Sequence, residues 1–171
     1  MSQSMSGAAE GIAIMEMLVY RYDLDRQPLR PLFREADDSE QQIDTYLELG
    51  TLFVAEDEGE IIGHLQLIPD NDTAELKSMA VVESRRGAGV GRALVRAALE
   101  HCRQNAAKCL LVATAAADTG NLRFYQRQGF RMLSVERDAF VASTGYPSEI
   151  IIDGIPLRDR VWLGQDLSGE S

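Results

Sequence analysis

Apolar residues change their spacing several times along this chain, and each change marks a different element. Leu29, Leu32 and Phe33 recur at helical intervals and predict a short helix over 28–36. A second helix, capped by Asp38 or Ser39, is predicted to run to Leu49 with Ile43, Tyr46, Leu47 and Leu49 turned inward, and Gly50 stops it. Alternation then replaces the helical period. Residues 51–56 and 60–68 read as strands joined through Asp57-Glu58-Gly59, and a turn at 69–72 leads into a third strand, 73–82. After a glycine-rich stretch, Leu94, Val95, Ala98, Leu99 and Cys102 return to helical spacing, predicting a helix to about Gln104.

Residues 109–113, CLLVA, form a continuous apolar run suited to a buried central strand. A helix starting at Asp118 or Thr119 should reach Gln128 and end at Gly129. Residues 130–135 and 160–163 read as closing strands. The segment 136–159 between them carries turn signals at 145–147 and 153–154. Residues 1–10 have no period and are expected to be disordered, leaving one domain over 11–171. With a strand expected first, the order is β, α, α, β, β, β, α, β, α, β, β, which is an α/β or α+β sheet with helices on its faces.

Composition narrows the chemistry. The 171 residues are 45 % apolar and 26 % charged, ordinary for one soluble domain. No apolar run approaches the roughly 18 residues of a membrane span, and the run from Ile12 to Tyr20 is broken by Glu16 with no basic residue before it. Cys102 and Cys109 have neither metal-ligand nor CxxC spacing, so reduced thiols and a cytoplasmic location are expected. A net charge of −10 argues against general nucleic-acid binding. Even so, Arg85, Arg86, Arg92 and Arg96 crowd one turn-and-helix segment, which suggests a local anion site. His64 and His101 have no nucleophile motif beside them, so neither a hydrolase triad nor a catalytic metal is expected.

The chemistry concentrates in a strand, a glycine-rich turn and a helix. Gly87-Ala88-Gly89-Val90-Gly91 ahead of a helix N-terminus is suited to cradling phosphate, because glycine lets backbone N–H groups curl around an oxyanion. A Walker loop is excluded, since no GK[ST] follows at its spacing. A dinucleotide fingerprint fails because Arg92 stands where its third glycine belongs.

Arg86-x-x-Gly89-x-Gly91 resembles the (Q/R)xxGx(G/A) pyrophosphate loop of the GNAT acyltransferase family. Asn121-Leu122-Arg123-Phe124-Tyr125 followed by Gly129-Phe130 is similar to that family's second signature, and the match covers roughly residues 50–135. The resemblance implies a mixed, mostly antiparallel sheet whose fourth and fifth strands splay apart, with acetyl-CoA as co-substrate and no metal. It places the pantetheine arm along the backbone of Met79, Ala80 and Val81. The pyrophosphate would lie on Gly87, Ala88, Gly89, Val90 and Gly91 with Arg86 and Arg92, while Arg85 and Arg96 read as surface charge.

Tyr125 stands where the family's general acid stands. Glu75 is either a base acting through water or a solvent-facing carboxylate. Asn121 bonds the CoA arm or caps its helix. The implied activity is acetyl transfer to a primary amine of a small molecule or peptide, without nucleic acid or membrane. The alternative is a non-catalytic CoA-binding sensor or interaction module. The first two helices and segment 136–159 would wall the acceptor site, and that segment could equally serve a homodimer.

Overall fold

The computed structural model describes residues 16–147 and 149–169, so the predicted disorder of 1–10 lies outside the described residues. The elements follow in the order β1 (Met17–Arg21), α1 (Arg30–Ala36), α2 (Glu40–Tyr46), β2 (Thr51–Asp57), β3 (Glu60–Asp70), β4 (Thr73–Val81), α3 (Val90–Gln104), β5 (Cys109–Ala115), α4 (Thr119–Arg127), β6 (Arg131–Glu136), β7 (Ile151–Ile152), β8 (Ile155–Pro156) and β9 (Arg160–Asp166). The main sheet has seven strands in the order β1-β2-β3-β4-β5-β9-β6, all antiparallel except the β4–β5 pair. No helix of the described residues is long and apolar enough to cross a membrane.

Each face of the sheet carries its own core. On one, α3 buries Val90, Leu94, Val95, Ala98, Leu99 and Cys102 against Leu65, Leu76, Leu110 and Leu163. On the other, Phe33 and Ile43 from α1 and α2 pack on Leu52 and Val54. Pro28 and Pro31 sit in first turns, where a missing N–H is tolerated. Ser39 caps α2, its hydroxyl accepting from Gln42 N at 3.2 Å.

The second helix stops three residues before the predicted Leu49, and Leu49 is 49 % exposed rather than turned inward. The cause is competition for its last carbonyls. The Arg26 guanidinium takes those of Leu47, Leu49 and Gly50 at 3.0, 2.6 and 2.8 Å, and Gln66 Nε2 takes those of Tyr46 and Leu49 at 2.6 and 2.8 Å. Gly50 then passes so close to β3 that a Cβ would lie 1.9 Å from the Leu67 carbonyl oxygen.

The decisive feature is where β4 and β5 part. They pair over four residues only, from Thr73 opposite Cys109 to Leu76 opposite Val112. Beyond that point β4 continues to Val81 on β3, while β5 stays with β9 as far as Ala115 opposite Arg160. A bulge at Lys77 sits at this fork: the β3–β4 register steps from Gln66–Ser78 to Leu67–Leu76. A bulge bends its strand and increases its twist, which turns β4 away from β5. It also resets the faces, so Leu76 and Met79 both meet the α3-side core while Ser78 meets His64 on the other side.

Segment 136–159 is anchored to α2. Ser39 Oγ donates to the Gly145 carbonyl at 2.6 Å, and Gln42 Nε2 to that of Thr144 at 2.8 Å. The turn signal at Asp153-Gly154 is the bend of the β7–β8 hairpin, whose two-residue strands the sequence pattern did not predict.

Candidate active site

The loop after β4 is built as a cradle. A 3-10 turn, 83–85, is tied to β2 through the ion pair of Arg85 with the buried Asp57. Gly87 and Gly89 adopt φ of 77° and 86°, the left-handed region that side chains disfavour, and a Cβ at either would meet nothing within 4 Å. The loop therefore needs glycine for its curl, and the space above it is open. α3 begins with Gly89 as N-cap and no side chain satisfying its first N–H groups. Unmet donors and the positive end of the helix dipole at one point are features that favour an anion.

Gly91 has a different role. A Cβ there would lie 3.2 Å from Phe124 Cζ, so this glycine lets α3 press onto α4. Arg86 runs back along β4, its Nε donating to the Val81 carbonyl at 3.1 Å and its Nη2 pairing with Glu35 at 3.2 Å. Arg92 is exposed in the first turn of α3.

The free flank of β4, through the half-buried Met79, Ala80 and Val81, leads from the fork to this cradle. Across the gap stands the N-terminal end of α4. Asp118, not Asn121, caps that helix: its Oδ1 accepts from Asn121 N at 2.9 Å. The Asn121 side chain reaches Thr114 Oγ1 at 3.4 Å, on the stretch of β5 that has left β4. One helical turn on, Tyr125 is 4 % exposed, its ring edge-on to Phe124 and Phe130. Burial, helped by the charge of Asp118, pushes this phenol well above its ordinary range, so it stays protonated.

Glu75 lies within the paired part of β4, opposite Leu111, just before the fork. Its carboxylate is 4.0 Å from Lys77 Nζ, which in turn sits 5.0 Å from the centre of the Tyr46 ring.

On that face the structure gathers a group that sequence spacing did not reveal. Tyr46 OH donates to Asp37 Oδ2 at 2.9 Å, and the Tyr146 phenol lies close enough to feel the charge of the same carboxylate. Asp37 Oδ1 accepts from Ser39 N at 3.0 Å. Burial first, then the charge of Asp37, raises both phenols. The three residues come from a loop, a helix and the 136–159 segment, so nothing in their local sequence links them. Among the described residues no cluster of His, Cys, Asp and Glu is arranged to hold a metal ion.

This arrangement has clear relatives. The acetyltransferase (GNAT) family model matches residues 18–130. The chain is 32 % identical over 157 residues to the uncharacterized N-acetyltransferase YvbK of Bacillus subtilis, covering 90 % of this chain and 100 % of that protein. Its fold superposes with a TM-score of 0.81 on an IAA acetyltransferase from Bacillus cereus, at 35 % identity and covering 88 % of this chain and 99 % of that one. A GNAT family acetyltransferase from Elizabethkingia anophelis with acetyl-CoA bound gives the same TM-score, 0.81, at 30 % identity, covering 88 % of this chain and 98 % of the other. With the motif-bearing loop, the forked strands and these likenesses in agreement, the chain belongs to the GNAT family and is an acyl-CoA-dependent N-acyltransferase.

Proposed function

We propose that this enzyme transfers an acetyl group from acetyl-CoA to a primary amine of a small molecule or peptide by direct attack. The observation that carries the reading is the fork of β4 and β5 opening directly ahead of the uncapped N-terminus of α3. The relative with acetyl-CoA bound supports the same donor here. The backbone of 79–81 flanks the pantetheine arm, and Gly87 through Arg92 take the pyrophosphate with Arg86.

The proton bookkeeping assigns the remaining roles. The amine arrives mostly protonated, with a pKa of about 10.4 for a lysine-type group, and must lose a proton before it attacks. Glu75, near the fork and in contact with solvent, receives that proton through water. The new C–N bond forms as the C–S bond breaks, and the departing sulfur, whose thiol pKa is about 8.5, takes a proton from Tyr125. A phenol held neutral by burial keeps its proton in place at any pH where the amine reacts. The acceptor enters over α2 and residues 139–147, where Asp37 beneath Tyr46 and Tyr146 offers negative charge to a cation.

The test is thiol release from acetyl-CoA across a panel of primary amines, with wild type and Tyr125→Phe. The expected result is amine-dependent turnover, with kcat about 10²-fold lower in the variant and KM for acetyl-CoA little changed. Binding of acetyl-CoA with no turnover on any amine would instead make the chain a CoA-binding module. An unchanged kcat in Tyr125→Phe would remove that residue from the acid role.

A further inference from the structure

The main sheet ends in two edge strands, β1 and β6. β6 is the more exposed: every residue of its RMLSVE sequence is open to solvent, with Met132, Leu133 and Val135 at 52 %, 60 % and 63 % exposure. Among the described residues no strand pairs with its outer side. It has neither Lys nor Pro, the residues that commonly blunt such an edge. Its one irregularity is a bulge at Leu133, where the register with β9 steps from Met132–Leu163 to Ser134–Trp162.

The bulge decides which side chains share a face. Val161 and Leu163 of β9 lie in the core beneath α3, so Arg160, Trp162 and Gly164 point to the other side of the sheet. Residues opposite one another on paired strands share a face. Met132, opposite Leu163, and Val135, opposite Val161, are therefore on the α3 side. Arg131, Ser134 and Glu136, opposite Gly164, Trp162 and Arg160, are on the other. Leu133 joins them, because a Cβ on Gly164 would lie 2.9 Å from its Cδ1. In a regular strand Arg131 and Glu136, an odd number of residues apart, would point to opposite faces.

The result is a strand that matches itself. Rotation by 180° about an axis through its midpoint, perpendicular to the sheet, sets β6 antiparallel to a copy of itself. Every pair that then meets shares a face. Arg131 stands opposite the partner's Glu136, Met132 opposite the partner's Val135, and Leu133 opposite the partner's Ser134. Two identical bulges meet at the axis, so the step in one strand is matched by the step in the other. Glu136 is held at the strand end, its Oε2 accepting from Arg160 Nη1 and Trp162 Nε1, each at 3.1 Å. β1 offers no such match, since the same operation about Val19 would set Met17 against the partner's Arg21.

We infer that the chain is a two-fold homodimer in which β6 pairs antiparallel with β6 of a second copy, Arg131 opposite the partner's Glu136, so that one sheet runs through both copies. Such an interface is isologous, and each contact occurs twice. The paired strands are short, so the dissociation constant should be on the order of micromolar. The inference is independent of the acetyl-transfer reading.

Sedimentation velocity from about 1 to about 300 μM spans that range. Wild type should pass from monomer to dimer. Arg131→Glu alone sets an acid against the partner's Glu136, and Glu136→Arg alone sets a base against the partner's Arg131. Each should weaken the dimer about tenfold or more, because attraction becomes repulsion at both contacts. An equimolar mixture of the two variants restores opposite charges at both contacts and should dimerise as wild type does. That rescue, with thermal melts of each variant, separates a broken interface from a broken fold. Val135→Lys, an exposed substitution against the partner's Met132, should abolish the dimer independently of the charge pair. A wild type that stays monomeric throughout overturns the inference. So does a dimer that survives all three substitutions, or a mixture that associates no more tightly than either variant alone.

Discussion

Burial acts on Tyr125 and His64 in opposite directions and leaves both neutral. A buried phenol resists losing its proton, so Tyr125 stays neutral. A buried imidazole resists gaining one: His64 is fully enclosed and its pKa is pushed down to about 3. Its Nε2 lies 2.8 Å from Ser78 Oγ, and its ring stacks on Phe33 at 4.3 Å. The consequence for stability has a definite sign. In the unfolded chain this histidine takes up a proton below about pH 6.5, whereas the native protein refuses it until about pH 3, so stability falls as pH drops through that window. The loss by pH 5 should be about 2 kcal/mol from this residue alone. Urea denaturation of wild type and His64→Gln at pH 7 and pH 5 measures it. The wild type should lose more between the two pH values than the variant, and an equal loss would place the acid sensitivity in other groups.

The two helices that meet at Gly91 show how one element sets another. α3 supplies the cradle and α4 supplies Tyr125, and the contact of Gly91 with Phe124 fixes their spacing. In Gly91→Ala a methyl group would press on the Phe124 ring, which is hemmed in by Tyr125 at 5.2 Å. The expected cost is about 1–2 kcal/mol of stability, with kcat reduced more than affinity for CoA, because the displaced helix carries the proposed acid. Phe124→Leu in the same chain should restore part of the stability, as coupled neighbours do. Simple additivity in denaturant melts would mean that the helices do not touch there. The glycine loop was legible in the sequence because its parts are contiguous, although Gly91 proves to serve packing as well as the loop. The early end of α2 was not legible, since Arg26 and Gln66, which take its carbonyls, belong to other elements. The bulge at Lys77 leaves no mark in the alternation of β4. Arg96 reads as surface charge until the fold sets it along one cleft with Arg127, and Asp37, Tyr46 and Tyr146 come together only in three dimensions.

At the scale of the molecule two fields compete for the donor. The chain carries 27 acidic and 17 basic side chains, so at long range it repels a polyanion such as acetyl-CoA. Close to the cradle the sign reverses, because Arg92, Arg96, Arg123 and Arg127 are gathered on two adjacent helices without carboxylate partners among the described residues. Salt separates these contributions by distance. At about 0.01 M the screening length is roughly 30 Å and the whole surface acts; at about 0.1 M it is roughly 10 Å, and only charges near the cleft remain effective. The value of kcat/KM for acetyl-CoA should therefore rise as salt is first added, pass through a maximum, and fall as the arginines are screened in turn. A cationic amine, attracted by the overall charge, should show only the falling part. In Arg96→Gln/Arg127→Gln the donor's maximum should move to higher salt and its decline should flatten. Steady-state rates across an ionic-strength series at fixed pH check this directly. A decline in the donor's kcat/KM from the lowest salt onward would mean that the arginine-lined surface governs encounter at every distance and that the acidic exterior is, for this substrate, kinetically silent.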